Sequence, residues 1–345
     1  MLGYAIIGCG YVSGRHVEAA INQPNTHVAV LCDVDETAAK NSAEKYGLSC
    51  PIVTDYRQAV TRDDVDIVVV GVPTPIHRDV CAAAAQAGKH LYIEKPFAQS
   101  LAEAREMMDL CATANVKAVV GHSHRYFPAL IRAKELVKQG AIGRVVKARS
   151  VLCYHKDFAA ETRTWKLDAS LPLHGSLLDV GVHAADDIHF VTDSRTVRVY
   201  AEGLCARPDE TSLIDVGTAV LRLENGAVAE WEVSETQATG GAFPCQGTTE
   251  IYGTLGSILV DNTRLTLYTS PTDDAAEECH EENLAPPSFF GQWQNLHQDL
   301  VDSILNDTPV PIPAIAGYRS LQVVDAVFTS IREHRAVDIA EIAAP

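Results

Sequence analysis

The sequence predicts an α/β protein of two domains, in which a doubly wound parallel sheet precedes a second α/β domain with a largely antiparallel sheet. In about the first 120 residues, apolar runs rich in Val and Ile alternate with helix-like segments, which is typical of parallel strands buried on both faces. After Gly121 the pattern changes to a series of short β-type runs. The length of 345 residues suits two domains of about 150 residues each, divided as 1–122 and 123–345.

The first domain is predicted to alternate strands with helices. Its predicted strands are Leu2–Ile7, His27–Leu31, Asp66–Val70, His90–Ile93 and Lys117–Val120. Its predicted helices are Arg15–Ile21, Glu36–Tyr46, His77–Ala87 and Leu101–Ala114. Gly47, Gly88 and Asn115 each follow one of these helices as a stop signal. Alternation of this kind predicts a parallel sheet covered by helices on both faces.

The second domain is predicted to be more varied. Its predicted helices are Pro128–Gln139, Ser176–Phe190, Trp293–Leu305 and Ile315–Arg332. Its predicted strands are Arg144–Tyr154, Val197–Cys205, Thr218–Leu223, Ala227–Val233, Glu250–Tyr252, Ser257–Val260 and Arg264–Tyr268. The polar stretch His155–His174 is too long for a simple connection, and Asp273–Glu282 is predicted to be an acidic, solvated loop.

One strand of the second domain shows how its sheet is expected to be oriented. Glu230 and Glu232 fall on one face of the predicted strand, and Trp231 and Val233 fall on the other. This alternation favours an antiparallel sheet with one buried and one more polar face.

The composition excludes several classes of protein. Hydrophobic residues make up 47% and charged residues 21%, as in ordinary globular proteins, and no run approaches the roughly 20 apolar residues of a membrane helix. The N-terminus enters the predicted strand Leu2–Ile7 without a basic region or cleavage site, so no signal peptide is expected. A net charge of −17 argues against nucleic acid or an anionic membrane as a partner, because both bind basic surfaces.

The cysteines indicate a reducing compartment. There are nine of them, scattered and mostly inside apolar runs, as expected of small buried hydrophobic residues in a cytoplasmic protein. The sequence contains no CxxC pair, so a structural zinc site is not expected.

A glycine-rich turn follows the first predicted strand. The segment Gly8-Cys-Gly10-Tyr-Val-Ser13-Gly14 lies between Leu2–Ile7 and a helix, which is the context of a dinucleotide fingerprint. Gly8 allows the tight turn, and Gly10 lets the backbone approach a pyrophosphate at the helix N-terminus. The third small position is Ser13 instead of glycine, which predicts slightly wider packing of the helix on the strand.

Asp33 predicts which dinucleotide is bound. It ends the second predicted strand, 23 residues after Gly10, where a carboxylate hydrogen-bonds the adenosine ribose hydroxyls. Asp35 lies close by, and a 2′-phosphate would be repelled by both carboxylates; about 1.4 kcal/mol is enough for tenfold discrimination. We therefore expect NAD as the cofactor, with NADP less favoured. The alternative is a glycine-rich turn without a ligand.

Four further motifs are spread over most of the chain. They are Val72-Pro-Thr-Pro-Ile-His77, Gly88-Lys-His-Leu-Tyr-Ile-Glu-Lys-Pro96, Gly175-Ser-Leu-Leu-Asp179-Val-Gly-Val-His183-Ala-Ala-Asp186 and Gly253-Thr-Leu-Gly-Ser257. With the glycine-rich turn they form a specific combination, although each piece alone is weak. On these residues the chain resembles the Gfo/Idh/MocA family, the glucose–fructose oxidoreductase and inositol dehydrogenase group.

The resemblance implies an N-terminal Rossmann domain and a C-terminal domain whose open sheet makes homodimer or homotetramer contacts. It implies hydride transfer between NAD(P) and a secondary hydroxyl or ketone of a sugar, polyol or sugar derivative. It also implies that Lys95, Asp179 and His183 act at the nicotinamide end, and no metal is expected. The expected cofactor contacts are Gly8, Gly10, Tyr11, Val12, Asp33, Pro73, His77, Glu94 and Lys95.

These three side chains suit the oxidation of an alcohol. Asp179 and His183 are four residues apart, so on one helix they share a face. Histidine can take the hydroxyl proton near neutral pH, or return it during ketone reduction. Lys95 can donate to the same oxygen and stabilise developing negative charge, and Pro96 imposes an extended conformation on it. Asp179 can orient the imidazole or bind a neighbouring hydroxyl.

The chain also departs from the family pattern near the expected substrate. Leu173-His174-Gly175 replaces a glycine-rich stretch, and Ser123-His124-Arg125 replaces Asn-Arg-Arg. A polyol specificity therefore cannot be carried over. The candidate substrate contacts are Arg125, Tyr126, His155, Lys156, Arg163, Trp165 and His174.

Other interpretations compete with this one. Lys95 could be a surface lysine, and Asp179 with His183 could be a structural pair. A regulator could keep the fold and bind nucleotide without catalysis, although it would not need these three side chains. A metal enzyme could use a cluster of histidines, starting from the His-x-His pair at His122 and His124.

Overall fold

The computed structural model describes residues 1–157, 161, 164–171, 173–236, 247–261, 263–270, 278–284 and 291–342. The chain divides into two compact units. Unit 1 contains Met1–Ser123 and Ser288–Tyr318, and unit 2 contains His124–Pro287 and Arg319–Pro345. Unit 1 therefore includes a late segment that the predicted division after residue 122 assigns to the second domain.

The N-terminal part of unit 1 alternates strands and helices. In chain order its elements are β1 (Leu2–Ile7), α1 (Ser13–Ile21), β2 (Thr26–Cys32), α2 (Glu36–Tyr46), β3 (Ile52–Val53), α3 (Tyr56–Val60), β4 (Ile67–Val70), α4 (His77–Gln86), β5 (His90–Ile93), α5 (Leu101–Thr113) and β6 (Ala118–Val120). The predicted strands and helices are confirmed, with ends that differ by a few residues. The short elements β3 and α3 were not predicted.

The six strands of this segment, all of it described, form one parallel sheet in the order β3-β2-β1-β4-β5-β6. This order is that of a doubly wound dinucleotide-binding fold, so the predicted fold class is confirmed. β1 lies at the centre, with Ile6 paired to Leu31 of β2 and to Val69 of β4. These three side chains are completely buried, which explains the continuous apolar runs in the sequence.

Local signals set the helix ends. The Asp35 side chain accepts the Thr37 N–H at 2.9 Å and begins α2, and Ser100 accepts the Glu103 N–H at 3.2 Å and begins α5. Gly47, at φ 62°, ends α2 in the left-handed conformation that glycine adopts without a steric penalty.

The remaining elements follow residue 123. They are α6 (Pro128–Lys138), β7 (Val145–Cys153), α7 (Gly175–Asp179), α8 (Gly181–Thr192), β8 (Thr196–Leu204), β9 (Val216–Leu223), β10 (Val228–Ser234), β11 (Thr248–Gly253), β12 (Gly256–Val260), β13 (Arg264–Thr269), β14 (Glu278–Asn283), α9 (Gly291–Leu305), α10 (Ala314–Glu333), β15 (Val337–Asp338) and α11 (Ile339–Ile342).

Among the described residues, unit 2 contains an open nine-stranded sheet in the order β14-β13-β12-β11-β7-β10-β9-β8-β15. Only the pairing of β7 with β10 is parallel there, and the other pairings are antiparallel. The predicted open, largely antiparallel sheet is confirmed. The helices α6, α7 and α8 contact the sheet, and Trp231 and Val233 are fully buried while Glu230 and Glu232 are not, as the alternation predicted.

Two predictions in unit 2 were wrong. Of the predicted acidic loop Asp273–Glu282, residues 273–277 lie outside the described residues, and the rest belongs to the edge strand β14, because its backbone pairs with β13 while most of its side chains are exposed. The single predicted helix Ser176–Phe190 is two helices that meet at Val180. At this junction the Trp231 Nε1–H donates to the Gly181 carbonyl at 2.8 Å, and the tryptophan ring fills the space beside Gly181.

Trp231 is expected to be a main source of stability in unit 2. Trp231→Ala removes a fully buried ring and its hydrogen bond to Gly181, and a change of this kind costs about 3–5 kcal/mol. Tyr252→Ala is the control, because Tyr252 is exposed on the opposite face of the same sheet. Thermal unfolding followed by circular dichroism should show a much larger fall in Tm for Trp231→Ala, and equal falls would contradict this packing.

The late segment of unit 1 is built around α9. This helix packs against α1, where the Arg15 guanidinium lies 4.1 Å from the centre of the Trp293 ring and 5.3 Å from that of Tyr11. The chain then passes along β6, where the Val120 N–H donates to the Ile312 carbonyl at 3.0 Å. The edge of the parallel sheet is thus covered by residues from the C-terminal third of the sequence.

Two further expectations concern membrane helices and cysteines. No helix among the described residues is both long and apolar enough to cross a membrane. Eight of the nine cysteines lie in the described part of the chain, and all eight are free thiols there.

Candidate active site

The glycine-rich turn after β1 has the backbone that the fingerprint predicts. Gly8 has φ +96°, and a Cβ at this position would come within 2.5 Å of the Gly71 carbonyl oxygen. At Gly10, by contrast, no described atom lies within 4 Å of where a Cβ would be. Ser13 begins α1, and its hydroxyl donates to the Gly10 carbonyl at 2.7 Å. Serine is therefore accommodated at the third small position, and the open face at Gly10 fits a dinucleotide pyrophosphate.

The turn and the end of β2 are joined through Asp33. One oxygen of its carboxylate accepts the Cys9 N–H at 2.7 Å, and the other accepts the Asp35 N–H at 2.9 Å. A carboxylate has about four acceptor positions, so these bonds fix its orientation and leave it able to accept from ribose hydroxyls. Burial, followed by the Asp33 charge, raises the pKa of the Cys9 thiol to about 12, so no thiolate competes there at neutral pH.

The predicted cofactor contacts after β4 have different environments. Pro73 is partly exposed at the start of a short helical turn. His77 is buried, with its two ring nitrogens 2.9 Å from the Val72 carbonyl and 3.2 Å from the Phe97 carbonyl. Burial lowers the pKa of His77, and its neutral ring, which has a single N–H, donates to one of these two carbonyls. Tyr11 and Val12 lie in the glycine-rich turn, and Tyr11 is largely exposed.

Glu94 and Lys95 follow β5 directly. Glu94 is buried, and its carboxylate accepts the Lys95 backbone N–H at 3.2 Å. Burial acts to raise the pKa of Glu94, but the close approach of His16 and the charge of Lys95 outweigh it, and the pKa is lowered. The Lys95 side chain is partly exposed, and its peptide bond to Pro96 is cis. The buried Glu94 carboxylate thus fixes the backbone of Lys95.

The candidate residues of unit 2 lie on two consecutive helices. Asp179 is the last residue of α7 and His183 is in the first turn of α8, so the expectation that both lie on one helix was wrong. Asp179 forms an ion pair with Lys166. The His183 ring stacks on that of His124, with centroids 4.0 Å apart and planes 12° apart.

His124 is itself fixed by a buried carboxylate. Its Nδ1 lies 3.1 Å from the Asp187 carboxylate, which is 3% exposed. Burial raises the pKa of Asp187, although the charges of His124 and Arg125 oppose this rise. Neither Asp187 nor Lys166 is among the residues that the sequence predicted for the site. Asp187 could have been found, because it directly follows the motif that ends at Asp186 and lies four residues after His183.

The predicted substrate contacts are not all free to meet a substrate. The Arg125 guanidinium forms two hydrogen bonds with Asp186, at 2.8 and 2.6 Å, and Lys156 lies 3.3 Å from the Glu235 carboxylate. The His174 Nδ1 lies 2.8 Å from the Leu171 carbonyl. Tyr126 and Trp165 are partly exposed, His155 is exposed, and Arg163 lies outside the described residues.

A small cavity lies beside His124 and Asp187. Its volume is about 20 Å³, which holds roughly one water molecule and is far below the hundreds of Å³ of an ordinary ligand pocket. It is therefore not a sugar pocket. Across the described part of the chain, no group of three or more His, Cys, Asp or Glu side chains could hold a metal ion, so no cluster there supports the metal-enzyme alternative.

Comparison with known proteins agrees with this description. Residues 2–122 match the model of an oxidoreductase family with an NAD-binding Rossmann fold, and residues 130–259 match the GFO/IDH/MocA C-terminal domain. Levoglucosan dehydrogenase of Pseudarthrobacter phenanthrenivorans is 25% identical, with 99% of both chains covered. Myo-inositol 2-dehydrogenase of Thermotoga maritima is 23% identical, with 98% of both chains covered.

A solved structure supports the fold independently. Levoglucosan dehydrogenase in complex with NADH and levoglucosan superposes with a TM-score of 0.88 at 22% identity, covering 98% of this chain and 99% of that one. Its similarity extends through the sheets of both units. The chain belongs to the GFO/IDH/MocA oxidoreductase family, and its N-terminal unit is an NAD-binding Rossmann domain.

Proposed function

We propose that this protein is an NAD-dependent oxidoreductase acting on a secondary hydroxyl, or the corresponding ketone, of a sugar, polyol or sugar derivative. The observation that carries the proposal is the His183 ring, partly exposed on α8 and stacked on His124, which Asp187 holds. An imidazole fixed in this way suits proton exchange with a hydroxyl. The names of two relatives, dehydrogenases of levoglucosan and of myo-inositol, support the substrate class.

Bound NAD supplies the hydride acceptor for oxidation, and NADH supplies the donor for reduction. The residues proposed to hold it are those of the glycine-rich turn, Asp33, and the loops that contain Pro73, His77 and Glu94. In this arrangement Gly10 would give the pyrophosphate access to backbone N–H groups, and the Asp33 carboxylate would accept hydrogen bonds from the ribose hydroxyls. His77 keeps the Val72 loop in place.

The chain's own side chains handle the proton. During oxidation His183 takes the hydroxyl proton, and the Lys95 ammonium donates to the same oxygen as negative charge develops on it. During reduction His183 gives a proton to the oxygen of the ketone, and the Lys95 ammonium again donates to that oxygen. Asp179, held by Lys166, binds a neighbouring hydroxyl or orients the imidazole.

The substrate is identified by measuring nicotinamide absorbance with NAD and a panel of polyols, aldoses, sugar acids and nucleotide sugars. Turnover with one class establishes the function. Tight NADH binding without turnover of any compound in the panel would favour the alternative, a nucleotide-binding regulator with the same fold. No feature of the described residues favours that alternative.

Asp33 is expected to set the preference for NAD. Asp33→Asn keeps one oxygen, which can accept either the Cys9 or the Asp35 N–H, and removes the charge that repels a 2′-phosphate. The ratio of the NADPH to the NADH dissociation constant should therefore fall about tenfold, as measured by nicotinamide fluorescence. Glu224→Gln, which removes an equal charge at an exposed position of unit 2, is the control and should leave the ratio unchanged. An unchanged ratio in Asp33→Asn would remove Asp33 from this role.

We also propose that the protein works in the cytoplasm as a homodimer or homotetramer through the sheet of unit 2. The sheet face turned away from the helices exposes large apolar side chains, among them Val220 (50%), Tyr200 (43%) and Tyr268 (40%). Exposed apolar patches of this kind mark association surfaces. Light scattering after gel filtration measures the mass, and a monomer at micromolar concentration would contradict the assembly.

A further inference from the structure

Four buried polar side chains of unit 1 contact one another in a row that ends next to Lys95: Tyr4, His297, His16 and Glu94. His16 Nε2 lies 3.1 Å from the Glu94 carboxylate, and His16 Nδ1 lies 2.9 Å from Nε2 of His297. The other nitrogen of His297, Nδ1, lies 3.2 Å from the Tyr4 hydroxyl. His16, His297 and Tyr4 are completely buried. The row therefore extends through the interior from the centre of β1 to the carboxylate that accepts the Lys95 N–H.

The interior of the row, at His297 and Tyr4, is uncharged. Burial, followed by the charge of His16, lowers the pKa of His297 well below its usual value, so His297 is neutral. Its ring stacks on Tyr92, with centroids 4.3 Å apart and planes 7° apart. Burial raises the pKa of Tyr4, so that side chain remains a phenol. The His16 ring lies between His297 and Glu94.

The ring nitrogen of His16 is close to the Glu94 carboxylate but poorly aligned with it for a linear hydrogen bond. A buried carboxylate without a partner is strongly disfavoured. The groups that face Glu94 are His16, Lys95 and His77. Lys95 is partly exposed and burial lowers the pKa of His77, so His16, completely buried and 3.1 Å from the carboxylate, is the candidate buried partner of Glu94.

We propose that His16 and His297 are positioning residues for the reaction: His16 balances the charge of Glu94, His297 from α9 fixes the His16 ring, and Glu94 thereby fixes the backbone of Lys95. The inference rests on the proposed role of Lys95. The sequence distance between the two histidines is 281 residues, and neither belongs to the glycine-rich turn or to the motif around Lys95. Misplacement of a reacting group by about 1 Å can cost on the order of a hundredfold in rate.

The ion pair is tested without using activity. His16→Phe keeps an aromatic ring against Tyr92 but removes the partner of Glu94, so burial then raises the pKa of that carboxylate above its unfolded value. Ionised Glu94 consequently destabilises the variant as the pH rises. The difference in Tm between wild type and His16→Phe should widen from about pH 5 to about pH 6.5. His280→Phe, at an exposed histidine of β14, is the matched control and should show a constant difference.

The link to Lys95 is tested by kinetics. His16→Phe and His297→Phe should each lower kcat about tenfold or more while the NADH dissociation constant changes less than about threefold, and His16→Gln, which can donate to the carboxylate, should recover part of the loss. In a Lys95→Ala background, His16→Phe should lower kcat no further, since both changes affect one element.

The two proposals fail in distinguishable ways. If Lys95→Ala retains wild-type turnover, the proposed role of Lys95 is wrong, whereas the Tm series still decides whether His16 pairs with Glu94. A difference in Tm that stays constant with pH overturns the ion pair. A full additional loss in the Lys95→Ala background, or no recovery in His16→Gln, overturns positioning through Lys95.

Discussion

Lys95→Ala is expected to lower kcat by about a hundred- to a thousandfold, because the variant lacks the cation that stabilises negative charge on the reacting oxygen. The affinity for NAD should remain largely intact, since Asp33 and the glycine-rich turn are unchanged. Lys95→Met, which keeps most of the side-chain length, should lose as much activity as the alanine variant. Steady-state kinetics and NADH fluorescence titration separate these two effects.

Lys89→Ala provides the control for this prediction. Lys89 lies just before β5, and its ammonium donates to the Arg62 carbonyl at 2.9 Å, so its removal takes away a positive charge near the same strand without touching Lys95. Turnover in Lys89→Ala should stay within about twofold of wild type. Wild-type turnover in Lys95→Ala would exclude Lys95 from the reaction.

His183→Asn is expected to lower kcat by about a hundred- to ten-thousandfold, the usual range for loss of a general base. The variant should also lose most of the pH dependence of alcohol oxidation between about pH 6 and pH 8, where imidazole titrates. The Asp33 carboxylate is unaffected, so NADH binding should persist. The measurement is kcat for oxidation across this pH range.

His189→Asn is the matched control, because His189 lies on the same helix, α8, and its Nε2 contacts the Thr196 hydroxyl. Its kcat and pH profile should follow those of wild type. If His183→Asn kept the wild-type profile, another group would have to exchange the proton, and His124, stacked on the same ring, would be the next residue to change.

The parallel sheet was predictable because its strands are buried on both faces. In a run such as Ile67–Val70, where all four side chains are completely buried, every residue carries the apolar signal of such a strand. The strand Ile52–Val53 has only two residues, too few for any period to be recognised. The strand Glu278–Asn283 has mostly exposed side chains and is defined by backbone pairing alone, which composition does not record.

The parts of the candidate site that lie within one motif were predictable from the sequence. Asp33 follows its strand at a characteristic distance from Gly10, and the structure places its carboxylate against the glycine-rich turn. The pairing of Lys166 with Asp179 and the stacking of His124 on His183 join separate segments. In both pairs the sequence around one residue does not indicate which residue it will contact, so these contacts could not be predicted from the sequence.

The position of α9 also has a consequence for biosynthesis. Helix α1 packs against α9, yet the ribosome makes residues 124–287 between the two parts of unit 1. At about 5–20 residues per second this takes on the order of ten to thirty seconds. During that interval the nascent N-terminal sheet exists without its last helix, and the face of α1 that carries Arg15 and His16 lacks its later partners Trp293 and His297. The N-terminal unit therefore finishes folding only when nearly the entire polypeptide has been translated.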